Sequence, residues 1–120
     1  MVNDELKYFK QLIYYYFLNF KSLKTIEISL GNETDFIWEL LSIYKIIPSL
    51  VDLKIITDIY SSYAKRKKDK YGYTYYEESL FEKLEKEAKN INTKNLINLN
   101  IVFSDCICII KKGKVTKIIN

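Results

Sequence analysis

The sequence predicts an α+β domain in which about four helices pack on one face of a small, mainly antiparallel β-sheet, formed by an early strand and a C-terminal three-stranded meander. Three observations carry that prediction. Apolar residues recur every three or four positions in four segments, they alternate in an early segment and again through the last quarter, and only 3 glycines and 1 proline interrupt the chain. At 120 residues, 48% hydrophobic and 28% charged, the chain reads as one compact domain over residues 1–120. A domain of this size buries roughly two-thirds of its unfolded surface, so a core forms without metal or disulfide.

Leu6, Phe9, Leu12, Ile13, Tyr16, Phe17 and Phe20 recur at helical spacing and predict a first helix over 5–20, capped by Asn3 or Asp4. Its consecutive tyrosines 14–16 fan over roughly 200° of the helix circumference. At least one must leave the apolar face and find another surface, which makes Tyr14 and Tyr15 candidate interface residues. Ile26, Ile28 and Leu30 then alternate with Thr25, Glu27 and Ser29, the pattern of a half-buried strand over 24–30.

Gly31 ends that strand, Asn32 or Thr34 offers a cap, and Phe36, Ile37, Leu40, Leu41, Tyr44 and Ile47 form a second helical stripe that Pro48 closes. Pro48 also suits the first turn of a third helix, whose face would be Val51, Ile55, Ile56, Ile59, Tyr60 and Tyr63. The β-branched run within it fits a strand as well. From Lys65 to Tyr76, lysines and tyrosines dominate, and the third helix is expected to fray into an exposed connection.

A fourth helix is predicted over 77–90, with Leu80, Phe81, Leu84 and Ala88 on one face. Glu82 with Lys86 and Glu85 with Lys89 stand in the favourable i, i+4 order, so Glu78, Glu82 and Glu85 read as a solvated ion-pair face, not a metal site. The meander follows: Ile97 to Phe103 alternates, Ser104-Asp105 turns, Cys106 to Ile110 is β-prone, and Lys112-Gly113 turns into Val115 to Ile119.

The residue inventory limits the chemistry. With no histidine, Ser-His-Asp and Cys-His arrangements cannot be built, and Gly31, Gly72 and Gly113 stand too far apart for a phosphate-cradling glycine loop. A metal-dependent nuclease could use Asp105 with an acidic-x-Lys triplet on the next strand, but Val115-Thr116-Lys117 lacks the acidic residue. Asp105 therefore reads as a turn residue bonding its own backbone. Cys106 and Cys108, at i, i+2 on a strand, read as core packing, so neither metal nor cofactor is expected and the setting is reduced and cytoplasmic.

The run from Leu12 to Phe20 is shorter than the roughly 20 apolar residues a bilayer needs, so no membrane association is expected. Asp4 and Glu5 precede the apolar stretch where a secretory signal wants basic residues, so the mature chain is expected to start at or near Met1. Without that route, Asn32-Glu33-Thr34 reads as a helix entrance, not a glycosylation site.

Charge resolves best by segment. Residues 65–76 hold Lys65, Arg66, Lys67, Lys68 and Lys70 against Asp69, a local +4 equal to that of the whole chain. Tyr71, Tyr73 and Tyr75 follow directly, together with Tyr76, and such a basic, aromatic stretch suits single-stranded nucleic acid or an acidic protein. Lys111, Lys112 and Lys114 make a second basic tip that would join the first if both lay on one continuous face.

The expected function is that of a small non-enzymatic binding protein that occupies a surface of a partner protein and self-associates through helix one or a sheet edge. Its Lys, Ile, Asn and Tyr bias resembles small accessory proteins of viruses and mobile elements in A/T-rich hosts, which makes a host protein a candidate partner. The alternative is a nucleic-acid-binding module that uses residues 65–76.

Overall fold

A computed structural model describes residues 7, 8, 11, 12, 15, 22–42, 47–91, 96 and 98–119. The elements run β1 (Thr25–Gly31), α1 (Asp35–Leu40), β2 (Asp52–Thr57), β3 (Ala64–Lys68), β4 (Thr74–Ser79), α2 (Leu80–Ala88), β5 (Asn98–Val102), β6 (Cys106–Lys111) and β7 (Lys114–Ile119). Strands β1, β2, β5, β6 and β7 form one five-stranded sheet in that order, and β3 pairs with β4 in a separate two-stranded sheet.

The C-terminal meander forms as the alternation predicts. β5, β6 and β7 pair antiparallel, with Ile101 opposite Cys108 and Ile107 opposite Ile118. Lys112 (φ 51°) and Gly113 (φ 76°) make the two-residue turn between β6 and β7, both left-handed as a type I′ turn requires. The early strand also forms, and the fourth helix is shorter than predicted. Ser79 caps α2, accepting the Glu82 N–H at 3.2 Å, so residues 77 and 78 remain in β4.

The expected four-helix, mainly antiparallel architecture is not what forms. Among the described residues there are two continuous helices and seven strands, and the main sheet is mixed. β1, β2 and β5 run parallel, with Ile28 opposite Ile55 and Ile55 opposite Ile101. Parallel neighbours need a crossover long enough to return the chain to the same end, and the segments carrying α1 and α2 provide it. The first helix falls mostly outside the described residues. Those described within it, Lys7, Tyr8, Gln11, Leu12 and Tyr15, are helical and exposed.

Of the second helix, the described residues hold α1 followed by a turn at 41 and 42, and Tyr44 lies outside them. Thr34 stands at the N-cap of α1 without a side-chain bond, and at the other end the Ser42 hydroxyl donates to the Trp38 and Glu39 carbonyls, an alternative to continued helix. The predicted third helix is instead strand β2, and the β-branched residues Ile55, Ile56 and Thr57 explain it. They fit a pleated surface between two neighbours better than a helix, where their χ1 freedom is lost. Leu53, Ile55 and Thr57 point inward while Lys54 and Ile56 take the other face.

The core lies on one face of the sheet. Ile26, Leu53, Ile55, Leu99, Ile101, Cys106, Cys108 and Ile110 form a single buried cluster with Ile37 and Leu40 of α1 and Leu80, Leu84 and Ala88 of α2. Both helices therefore cover the same face. Burying a side chain such as Ile55 or Ile101 stabilises the fold by about 1.5–3 kcal/mol each. Lys83 of α2 places its ammonium 4.4 Å from the ring centroid of Trp38 on α1, joining the helices at the surface.

Cys106 and Cys108 are both fully buried, with Sγ atoms 3.9 Å apart, well beyond the roughly 2.05 Å of a disulfide. Burial, reinforced by Cys106, pushes the Cys108 thiol up to about 12. A thiol reagent at about pH 8 is expected to leave the native protein unlabelled and to modify both cysteines on denaturation. Rapid labelling of the folded chain would contradict the packing described.

Candidate functional site

Residues 65–76, expected as an exposed connection, form most of a β-hairpin. β3 and β4 pair with Arg66 opposite Tyr76, Lys67 opposite Tyr75 and Lys68 opposite Thr74. The turn between them explains why. Gly72 (φ 84°) supplies a left-handed residue, its N–H donating to the Asp69 carbonyl at 3.1 Å, while the Asp69 N–H donates to the Tyr73 carbonyl at 2.9 Å. The Asp69 carboxylate accepts the N–H of Tyr71 at 2.8 Å and of Tyr73 at 3.0 Å, closing the loop locally. Thr74, Tyr75 and Tyr76 favour the extended conformation that follows.

Every residue from Lys65 to Glu78 is exposed, so this arm, roughly 20 Å long by strand geometry, projects from the domain. Tyr71, Tyr73 and Tyr76 are 72%, 73% and 68% exposed. Its cations are not equivalent. Lys65 pairs with Asp35 of α1 at 2.7 Å and Lys67 with Glu77 of β4 at 2.9 Å, the Glu77 bond raising the Lys67 pKa above its ordinary value. Among the described residues no carboxylate pairs with Arg66 or Lys68, and Lys70 lies over the Tyr71 ring at 5.1 Å.

The pairing sorts these residues onto two faces. Directly opposed residues of an antiparallel pair share a face, so Arg66, Lys68, Thr74 and Tyr76 lie on one and Lys67 with Tyr75 on the other. The second face is neutralised by Glu77, and the first keeps both its charges.

The base of the arm is fixed by a bond network that sequence reading missed. Ser61 is fully buried and donates its N–H to Asp105 Oδ1 at 2.9 Å and its hydroxyl to Asp105 Oδ2 at 2.8 Å. Around it, the Ser104 N–H donates to the Ile59 carbonyl, the Leu80 N–H to Tyr63 and the Phe81 N–H to Ser61, at 2.9–3.0 Å. Asp105 thus clamps the loop that carries the arm. The Ser61 N–H, with its hydroxyl, holds the Asp105 carboxyl below the usual carboxylate range against the opposing effect of partial burial.

The second basic tip lies elsewhere. Lys111, Lys112 and Lys114 flank the β6–β7 turn, where Gly113 stands 3.7 Å from the Lys89 backbone. β6 runs from the Asp105 clamp at the base of the arm to this turn, so the second tip stands roughly 20 Å along β6 from that base. An open cleft of about 470 Å³ beside the turn is lined by Glu82, Glu85, Lys86, Lys89, Lys114 and Val115. Lys86 of α2 pairs with Glu78 instead of Glu82, so Glu78 joins arm to helix. Of the candidate interface residues, Tyr15 is 71% exposed and Tyr14 lies outside the described residues.

Another opening, about 320 Å³, lies over the far face of β1, β2 and β5. Asp52 there accepts from Asn98 Nδ2 and from Thr25 Oγ1, and Glu27 pairs with Lys54 at 3.4 Å, so each of its carboxylates already has a partner. Among the described residues no group of three or more Cys, Asp and Glu side chains could hold a metal ion, and no helix is long and apolar enough to cross a membrane.

Asp105→Ala leaves two donors of buried Ser61 without their acceptor and is expected to lower the unfolding free energy by about 2–3 kcal/mol in urea denaturation. The depressed carboxyl also fixes a sign. Its stabilisation is complete above the ordinary carboxylate range and is lost as pH falls through the lower folded-state value, because the unfolded chain then binds more protons. Asp105→Asn should therefore show a shallower loss of stability on acidification than the wild type; equal slopes would remove the clamp from the account.

No protein-family model matches the chain, and no similar curated protein or solved structure was found.

Proposed function

We propose that this chain is a binding protein without a catalytic role, that the β3–β4 arm is its recognition element, and that its partner presents an anionic surface. The observation that carries the reading is that the arm is exposed along Lys65–Glu78 yet held at its base by Asp105 and Ser61. An isolated two-stranded hairpin is marginal in water, and surface ion pairs add little. Here the turn bonds of Asp69 and the clamp keep the strands formed and leave their side chains uncovered. Such an arrangement presents a preorganised contact surface and limits the entropy lost on binding. The composition supports the same reading, since the chain has no histidine to move protons near neutral pH.

A variant in which residues 66–76 are replaced by Asn-Gly shortens the arm, removes Arg66, Lys68 and Tyr76 with it, and leaves the clamp and core untouched. It is expected to melt within a few degrees of the wild type, because the deleted residues bury no core surface. Immobilised wild-type and shortened proteins are then compared on lysate of the source cells, with bound protein and bound nucleic acid both quantified. The expected result is a ligand retained by the wild type and absent from the shortened arm. Equal retention on both would defeat the proposal.

A further inference from the structure

Resting on the arm as the recognition element, we infer that its partner is single-stranded nucleic acid, held on the face that carries Arg66, Lys68 and Tyr76. Three features of that face point there. Arg66 and Lys68 have no carboxylate partner among the described residues, whereas Lys65 and Lys67 on the same strand do, so an uncompensated pair of cations stands on one side only. Alternate residues of a strand are about 7 Å apart, close to the step between phosphates of an extended single strand. Tyr76 lies directly across from Arg66 with its ring 68% exposed, and Tyr71 stands at the tip under Lys70.

The same features argue against an acidic protein. Protein–protein interface cores are depleted in Lys, Asp and Glu, and beside Tyr and Arg they draw on Trp, Phe and Met. From Lys65 to Glu78 there is no aliphatic, Phe, Trp or Met side chain at all, only cations, tyrosines, three carboxylates, one threonine and one glycine. Lysine and arginine for phosphates, with rings for bases, is the combination that binds single strands with little dependence on sequence. A single strand is also required by the rings, since a base inside a duplex offers no free face to Tyr76.

The test uses the full chain and labelled oligonucleotides of about 15 nucleotides, as RNA and as DNA, with a duplex of the same sequence and poly-glutamate as comparison probes. Binding to either single strand is expected to fall with salt, and R66S/K68S is expected to weaken it about tenfold or more at low salt and to reduce the log–log salt slope by about 1.4. Tyr76→Ala should weaken binding at least about fivefold while Tyr76→Phe, which keeps the ring, stays near the wild type. K111S/K112S removes the same charge at the far end of β6 and should leave affinity unchanged; circular dichroism verifies that each variant folds.

Equal weakening by R66S/K68S and K111S/K112S would reduce the binding to diffuse charge and overturn the inference, as would tighter binding of the duplex. If poly-glutamate binds in an Arg66- and Lys68-dependent way and neither oligonucleotide does, nucleic acid is overturned while the arm remains the recognition element. Absence of binding to every probe also overturns the nucleic-acid assignment, and the shortened-arm comparison then decides the arm itself.

Discussion

The Asp105 carboxylate sits in the turn between β5 and β6, yet both its oxygens accept hydrogen bonds from Ser61, 44 residues earlier. Burying a backbone N–H and a hydroxyl without acceptors would cost several kcal/mol, and a charged acceptor is roughly twice as strong as a neutral one. That asymmetry makes the position of the 58–63 loop a choice between this clamp and exposure to water. Because β2 ends immediately before the loop and β3 begins immediately after it, the same bonds set where the sheet stops and where the arm starts. The N–H groups of Leu80 and Phe81 then bond back to Tyr63 and Ser61, so α2 starts from the same place.

Sheet and arm are stabilised by different physics. The five-stranded sheet buries one continuous apolar face, with Ile55, Ile101 and Cys108 side by side across three strands. The arm has no such face and depends on directional bonds: the Asp69 turn, the β3–β4 ladder, and the anchors at its base. The ion pairs Lys65–Asp35 and Lys67–Glu77 are exposed, and pairs of that kind contribute little stability. Their larger consequence is electrostatic, because they cancel two of the charges that the segment carries and leave the others.

The elements that could be read from the sequence are those whose signal is local. β1, α2 and the β5–β6–β7 meander each carry a period or turn residue within their own span, such as Leu80, Leu84 and Ala88 in α2 or Lys112-Gly113 between β6 and β7. β2 is ambiguous because Val51, Ile55, Ile56 and Ile59 fit a helical spacing while the β-branched run within them fits a strand, and the neighbours that decide between the two, β1 and β5, are remote in sequence. Parallel pairing leaves no mark in alternation at all. The arm escaped for a third reason: a strand exposed on both faces has no apolar alternation, and its only local cues were Asp69, Gly72 and the β-prone Thr74 to Tyr76. The candidate residues of the arm were found by charge, but Ser61 was not singled out, since nothing near it in the chain hints at Asp105.

Segment charge and surface charge are different quantities, and the arm shows why the difference matters for recognition. Counted along the chain, residues 65–76 carry a net charge of +4. Folding as a strand sends alternate residues to opposite faces, so Lys67 meets Glu77 and Tyr75 while Arg66 and Lys68 share a face with Tyr76 and Thr74. The period of two thus converts an unbroken run of cations into one neutral and one cationic surface. A helix through the same residues would have spread the charges around its circumference, and a disordered loop would have let every lysine reach a ligand. A directional surface follows only from the strand, and the strand rests on the turn at Asp69 and Gly72 and on the clamp at Asp105.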